Sequence, residues 1–285
     1  MKNIYEETKF LMKKYNLTAN KKLGQNFLID DEAIDKIVDS ANLTKEDLVI
    51  EIGPGLGTLT SMLLEKARKV IAIELDDRMV KILQDRFLVY NNFELINEDV
   101  LKVNLPELIE ANNQFKSVKV VANLPYYITT PIIMKLLENR LNIESITIMI
   151  QKEVAERIVA TPGSKLSGAI TYSVHYYAEP EEVTIVPNIS FIPSPEVDSE
   201  VIKLVIRKEP PVELKDEKLF FNIIKASFMQ RRKTLANGLV NGGILQNKTE
   251  AVKLLKNIGL EENVRGEELS LEQFAKLSNE IYLRK

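Results

Sequence analysis

The chain has 285 residues, 45% hydrophobic and 28% charged, enough to bury one large core or two smaller ones. It has no cysteine and a single histidine, His175. That excludes disulfides, thiolate metal centres, iron–sulfur clusters, a cysteine nucleophile and a histidine-rich metal site, and makes a Ser-His-Asp triad dependent on one residue; nothing in the sequence suggests a metal site.

The formal charge is −3, from 38 basic and 41 acidic residues, and as a single number it argues against nucleic-acid binding. Its distribution says more. Residues 1–25 carry six lysines against two glutamates, residues 26–186 carry 16 basic against 25 acidic, and residues 187–285 carry 16 against 14. No apolar run approaches the roughly 18 residues of a membrane span. The basic N-terminus lacks the apolar stretch of a signal peptide, so a cytoplasmic location is expected. With no exposed heptad stripe, a monomer is expected too.

In chain order, residues 3–15 read as an amphipathic helix and 30–41 as another, with an acid-rich first turn that suits the helix dipole. Apolar β-branched runs then alternate with helical ones. Strands are predicted over 47–52, 69–74, 93–97, 119–122 and 145–150. The helices among them are 58–66, 78–87 and 130–138, and 151–160 and 167–176 follow. This alternation predicts an α/β fold with a mostly parallel sheet covered on both faces. Two more strands, 182–186 and 200–207, flank a proline-punctuated loop. After Lys208-Glu-Pro-Pro211 the pattern is helical only, over 217–230, 249–257 and 270–282, the last opening on the capping box Ser270-Leu-Glu-Gln273. The expected division is an α/β domain over 1–208 and a small all-α domain over 209–285.

The first strand runs into Glu51-Ile-Gly53-Pro-Gly55-Leu-Gly57-Thr58. Glycines after a strand and before a helix allow a tight turn and close approach of a ligand, although a strand–helix turn with no ligand would look the same. A dinucleotide fingerprint would place its third glycine at position 58, which is Thr58. The acid at Glu51 suits a cation better than a pyrophosphate. Glu74 ends the second strand, where an acid accepts hydrogen bonds from ribose hydroxyls. Asp99 follows the third strand and suits an adenine amine, whereas Asp76, Asp77 and Glu98 read as solvated charges at helix starts. S-adenosylmethionine fits this set.

The fourth strand runs into Asn123-Leu-Pro-Tyr126. An adenine amine is a poor nucleophile because its lone pair is delocalised into the ring. The Asn123 side-chain carbonyl and the Leu124 backbone carbonyl can bind both its N–H groups and free that lone pair. Pro125 fixes the turn, and Tyr126 offers a face on which a purine stacks. Phe191, in Phe191-Ile-Pro-Ser-Pro195, reads equally as the other face of an extruded base or as core. The densest basic run, Arg231-Arg232-Lys233, reads equally as a nucleic-acid contact or a solvated helix face.

These residues resemble the ribosomal RNA adenine N6-dimethyltransferases, most closely the bacterial 16S branch linked to kasugamycin resistance. The resemblance spans nearly the whole chain. It rests on Lys22-Leu-Gly-Gln-Asn26-Phe-Leu28, the Glu51–Gly57 loop, Glu74, Asp99, Asn123–Tyr126, Phe191-Ile-Pro-Ser-Pro-Glu-Val-Asp-Ser199 and Gln230-Arg-Arg-Lys-Thr-Leu235. It implies a Rossmann-like class I S-adenosylmethionine-dependent methyltransferase fold with a small C-terminal all-α, rRNA-binding domain. Asn26 and Leu28 would cover the cofactor, Gly53 and Gly55 would line its cradle, and Tyr126 and Phe191 would flank the base. Lys21, Lys22, Arg231, Arg232 and Lys233 would contact RNA. The implied activity is dimethylation of two adjacent adenosines near the 3′ end of 16S rRNA within the immature 30S subunit, coupled to its assembly. The related 23S rRNA dimethyltransferases of macrolide resistance share the glycine loop and the Asn-x-Pro-Tyr motif. A DNA adenine methyltransferase would need a separate target-recognition segment, and a non-catalytic assembly factor of this fold would not need the intact site.

Overall fold

The computed structural model describes residues 3–20 and 23–284. They form two compact units, one running to Ala155 and resuming over Pro180–Ile206, the other comprising Glu156–Glu179 and the chain from Arg207 onward. The division expected at 208/209 therefore shifts, since residues 156–179 group with the C-terminal helices. The reason is apolar packing. Tyr172 and Tyr176 are buried in one cluster with Phe220, Leu254 and Phe274, and the Tyr172 hydroxyl donates to Leu269 O at 2.7 Å.

In chain order the first unit contains α1 (Ile4–Lys14), β1 (Phe27–Leu28), α2 (Asp31–Ser40), β2 (Asp47–Ile52), α3 (Thr58–Lys66), β3 (Lys69–Glu74), α4 (Asp77–Phe87), β4 (Phe93–Asn97), α5 (Leu105–Glu110), β5 (Ser117–Asn123), α6 (Thr129–Glu138) and β6 (Ser145–Gln151). After α7 (Lys152–Val159) and α8 (Ala169–Tyr177) come β7 (Ala178–Val186), β8 (Phe191–Ile192) and β9 (Ser199–Ile206). The remainder is helical: α9 (Glu217–Phe228), α10 (Leu235–Asn241), α11 (Lys248–Asn257) and α12 (Leu271–Tyr282).

Among the described residues, seven strands form one sheet in the order β4-β3-β2-β5-β6-β9-β7. The pairs β2–β3, β3–β4, β2–β5 and β5–β6 are parallel, and β9 runs antiparallel to β6. The chain moves outward from β2 through β3 to β4, then returns to lay β5 on the other side of β2. This reversal opens a crevice at the carboxyl ends of β2 and β5, where open α/β sheets bind ligands. Every residue of β2 is buried, which is why its sequence is an unbroken apolar run apart from Asp47 and Glu51. At the opposite end of the sheet Asp47 is satisfied by Ser117 Oγ at 2.7 Å, Thr44 N at 2.7 Å and the buried Lys119 Nζ at 3.1 Å.

Four short elements, α5, β1, β8 and α10, escape sequence periodicity. The strands β1 and β8 pair antiparallel, Phe27 with Ile192 and Leu28 with Phe191, over two residues each. Helix α10 has the weak helix formers Asn237, Gly238 and Asn241. It forms because Gly238 packs on α9, where a β-carbon would meet Ala226 O at 3.1 Å. Among the described residues no helix is long and apolar enough to cross a membrane.

Gly57 begins α3 at φ +79°, and a β-carbon there would meet Phe87 Cε2 at 2.6 Å and Leu83 Cδ2 at 2.9 Å. Gly57→Ala is expected to destabilise the fold by about 1–3 kcal/mol, from strain at positive φ and overpacking against α4. A lower urea midpoint at unchanged slope would register it.

Candidate active site

The loop from β2 to α3 holds Gly53, Gly55 and Gly57 at φ +66°, +57° and +79°. Gly57 is needed for packing against α4; the other two serve the crevice. On Gly53 a β-carbon would find only Asn123 O, at 3.9 Å, so the space above it is open. Gly55 N donates to Glu74 Oε2 at 3.1 Å, which fastens the loop to the end of β3.

Glu74 is a hub. Its other oxygen accepts from Leu75 N and Asp76 N, each at 2.9 Å. Burial pushes the carboxyl up from its ordinary value, and the three amides oppose that rise. Asp76, read from the sequence as a solvated charge, is buried. It caps α4 by accepting from Arg78 N, takes the Arg78 guanidinium at 2.6 Å and takes Gln25 Nε2 at 2.7 Å. Burial raises its carboxyl, but these bonds outweigh burial and hold it below the usual range. The Gln25 bond anchors the segment 23–28, which crosses the crevice with Asn26 and Leu28 in its wall.

Asn123 is the last residue of β5, beside Met149 of β6. Among the described residues no hydrogen bond engages its side-chain amide, which leaves it available to a ligand. Leu124 N donates to Met149 O at 3.1 Å, and Tyr126 opens a short 3₁₀ turn after Pro125. The Tyr126 hydroxyl lies 2.6 Å from Ser199 Oγ. Burial pushes the Tyr126 phenol up, and the Ser199 bond opposes the shift.

These elements enclose a cleft of about 1150 Å³, open mouth included, lined by Asn26, Leu28, Glu51, Gly53, Gly55, Glu74, Asp99, Asn123, Leu124 and Tyr126. Its titratable acids are Glu51, Glu74, Glu98 and Asp99, and among the described residues no lysine, arginine or histidine lines it. A cleft of that make-up disfavours a pyrophosphate and fits a cationic, hydroxyl-rich adenosyl group. Tyr127 also lines the wall, exposed at 54%, with its ring over Gly24. Tyr127, Gln25 and Ser199 stand in or beside the quoted motifs, but no local pattern singles them out.

Phe191 stands apart. It is 3% exposed, belongs to the core cluster with Leu28 and Ile34, and does not line the cleft. Of the two roles left open for it, this placement is that of a core residue, on a strand paired with β1 opposite Leu28. Lys21 and Lys22 lie outside the described residues. Arg231, Arg232 and Lys233 fall on the turn after α9, not on the expected helix face. Arg231 donates to Lys165 O, Ser167 O and Glu267 Oε2, each at 3.1 Å, so it knits its own unit together, while Arg232 and Lys233 are exposed.

Glu51 sits at 1% exposure beneath the glycine loop, accepting from Thr60 Oγ1 at 2.6 Å. Burial, with repulsion from Glu74 a lesser cause, pushes its carboxyl up to about 8, so it is largely protonated at neutral pH until a cation lies beside it. A carboxyl raised on folding leaves stability intact below its ordinary value of 4.5 and costs stability as pH climbs towards about 8. Glu51→Gln is therefore expected to melt with the wild type near pH 4 and roughly several degrees above it at pH 9. Melting curves over that range would check it, and a constant offset at every pH would contradict it.

The sequence model of the ribosomal RNA adenine dimethylases matches residues 16–283. A ribosomal RNA small subunit methyltransferase A from Lachnoclostridium phytofermentans is 49% identical over 278 residues, 97% of this chain and 96% of that protein. Its namesake from Clostridium acetobutylicum is 50% identical over 275 residues, 96% and 98% of the two chains. Among solved structures, a dimethyladenosine transferase from Plasmodium falciparum aligns with TM-score 0.74 at 30% identity, covering 88% of this chain and 95% of that one. The 23S rRNA methyltransferase ErmE aligns with TM-score 0.69 at 27% identity, covering 90% and 100%. The fold is the Rossmann-like class I S-adenosylmethionine-dependent methyltransferase fold, and the chain belongs to the ribosomal RNA adenine dimethylase family.

Proposed function

We propose that the chain dimethylates N6 of two adjacent adenosines near the 3′ end of 16S rRNA, within the immature small subunit in the cytoplasm. The observation that carries this reading is a cleft whose charged lining among the described residues is acidic, ending at the Asn123 amide, which none of those residues engages. The choice of small-subunit rRNA rests on relatives of that name near 50% identity across almost the full length, against 27% for ErmE.

S-adenosylmethionine, the methyl donor, supplies an electrophilic methyl on a sulfonium. Glu74 and Asp99 would hold its ribose and adenine, Gly53 and Gly55 would let the backbone approach it, and Asn26 and Leu28 would cover it. Asn123 Oδ1 and the Leu124 carbonyl accept the two N–H groups of the target amine, which gathers its lone pair for attack. Tyr126 holds the base plane by stacking. Displacement of this kind needs orientation and charge placement rather than a strong base. Once methylated, the cationic nitrogen is acidic and its proton passes to water. The product keeps one N–H for Asn123, which permits a second round.

Asn123→Ala is expected to lower kcat by about a hundredfold or more, with the dissociation constant of S-adenosylmethionine within twofold. Radiolabel transfer to unmethylated small subunits, read beside calorimetric cofactor binding, separates the two effects. Label entering only 23S rRNA would overturn the choice of substrate. On the second unit, Arg232→Ala with Lys233→Ala is expected to weaken subunit binding and reduce the slope of log K against log salt by about 2. Filter binding across a salt series measures that slope, and an unchanged one would remove these residues from the RNA contact.

A further inference from the structure

Beside the cleft, one buried polar group touches Tyr126 without itself lining the cavity. Ser199 is the first residue of β9 and has no solvent exposure. Its position is fixed from three directions. It pairs with Gln151 across β6–β9, the preceding Asp198 O accepts Lys152 N at 3.1 Å, and Asp198 Oδ1 accepts Asn188 N at 2.9 Å. Among the described residues its hydroxyl has a single hydrogen-bond partner, the Tyr126 hydroxyl at 2.6 Å, and either oxygen can be the donor.

Tyr126, by contrast, stands on a 3₁₀ turn in the wall of the cleft, half-buried, with two side-chain torsions between its ring and the backbone. A stacking platform works only if its plane matches that of the base. Fixing the hydroxyl, the atom farthest from the backbone, is the most effective single restraint on that plane. The bond is also desolvated: the phenol sits high through burial, and the serine has no water to turn to.

We propose that Ser199 is a positioning residue for methyl transfer: its hydroxyl, held rigidly at the start of β9, sets the plane of Tyr126 against which the target adenine stacks. The inference rests on the stacking role given to Tyr126 above. It predicts that the two hydroxyls act as one unit. A net hydrogen bond of this kind corresponds to about a five- to tenfold effect.

The test is a double-mutant cycle of Ser199→Ala and Tyr126→Phe, with Tyr126→Ala alongside, in the full-length protein on unmethylated small subunits. Ser199→Ala and Tyr126→Phe are each expected to lower kcat/KM about five- to tenfold, and the double variant no further. Cofactor affinity should stay within twofold in all three. Tyr126→Ala, which removes the platform itself, should lose about tenfold more than Tyr126→Phe. Multiplying losses in the double variant, or Ser199→Ala at the wild-type rate while Tyr126→Ala is impaired, would overturn the positioning role alone. A wild-type rate for Tyr126→Ala would overturn the stacking reading and the proposal with it. Thermal melting of each variant separates a folding defect, which would lower cofactor binding and Tm together, from the expected loss confined to turnover.

Discussion

The Glu74 carboxylate is the fastening of the cleft. Three backbone amides, from the glycine loop and from the turn into α4, converge on its two oxygens. Burial makes an ionised carboxyl costly, and charge-assisted bonds from oriented amides are what offset that cost. Because the donors come from two different strand–helix junctions, one side chain ties the glycine loop after β2 to the turn after β3. Asp76 then extends the arrangement outward through Gln25, so the segment that roofs the cleft is tied to the same turn.

The electrostatics follow from that arrangement. A cleft whose charged lining among the described residues is acidic, with the Glu51 carboxyl below it raised by burial, is poorly matched to phosphates and well matched to a cation. The acids sit within the segment that carries most of the negative charge, whereas the exposed Arg232 and Lys233 lie in the other unit. The net charge of −3 thus averages an acidic central segment against basic ones on either side of it. Arg231 is a caution against reading charge runs by composition, since three of its contacts are internal.

Much of this was legible along the chain. Buried parallel strands need continuous apolar runs, so β2, β3 and β6 stand out, and the turns after them must carry whatever chemistry the sheet presents. Glu51, Gly53, Glu74, Asp99 and Asn123 are therefore readable as a set, each placed by its distance from a strand end. The helical C-terminus is equally plain from its periodicity and the Ser270 cap.

What a local window cannot hold is the identity of a distant partner. The pairing of Leu28 with Phe191 turns an aromatic ring with two open roles into core, and neither two-residue strand has a period to detect. Asp76 reads as a helix-start acid until Gln25 and Arg78 close around it, and Ser199 reads as a strand terminus until Tyr126 arrives at 2.6 Å. Residues 156–179 look continuous with the α/β domain until Tyr172 finds Phe220 and Phe274. The sequence determined the strands of the main sheet, their order of chemistry and the residues at their ends, because these depend on neighbours a few positions away. Burial, hydrogen-bond partners and unit membership depend on segments far along the chain, and only folding brings those into contact.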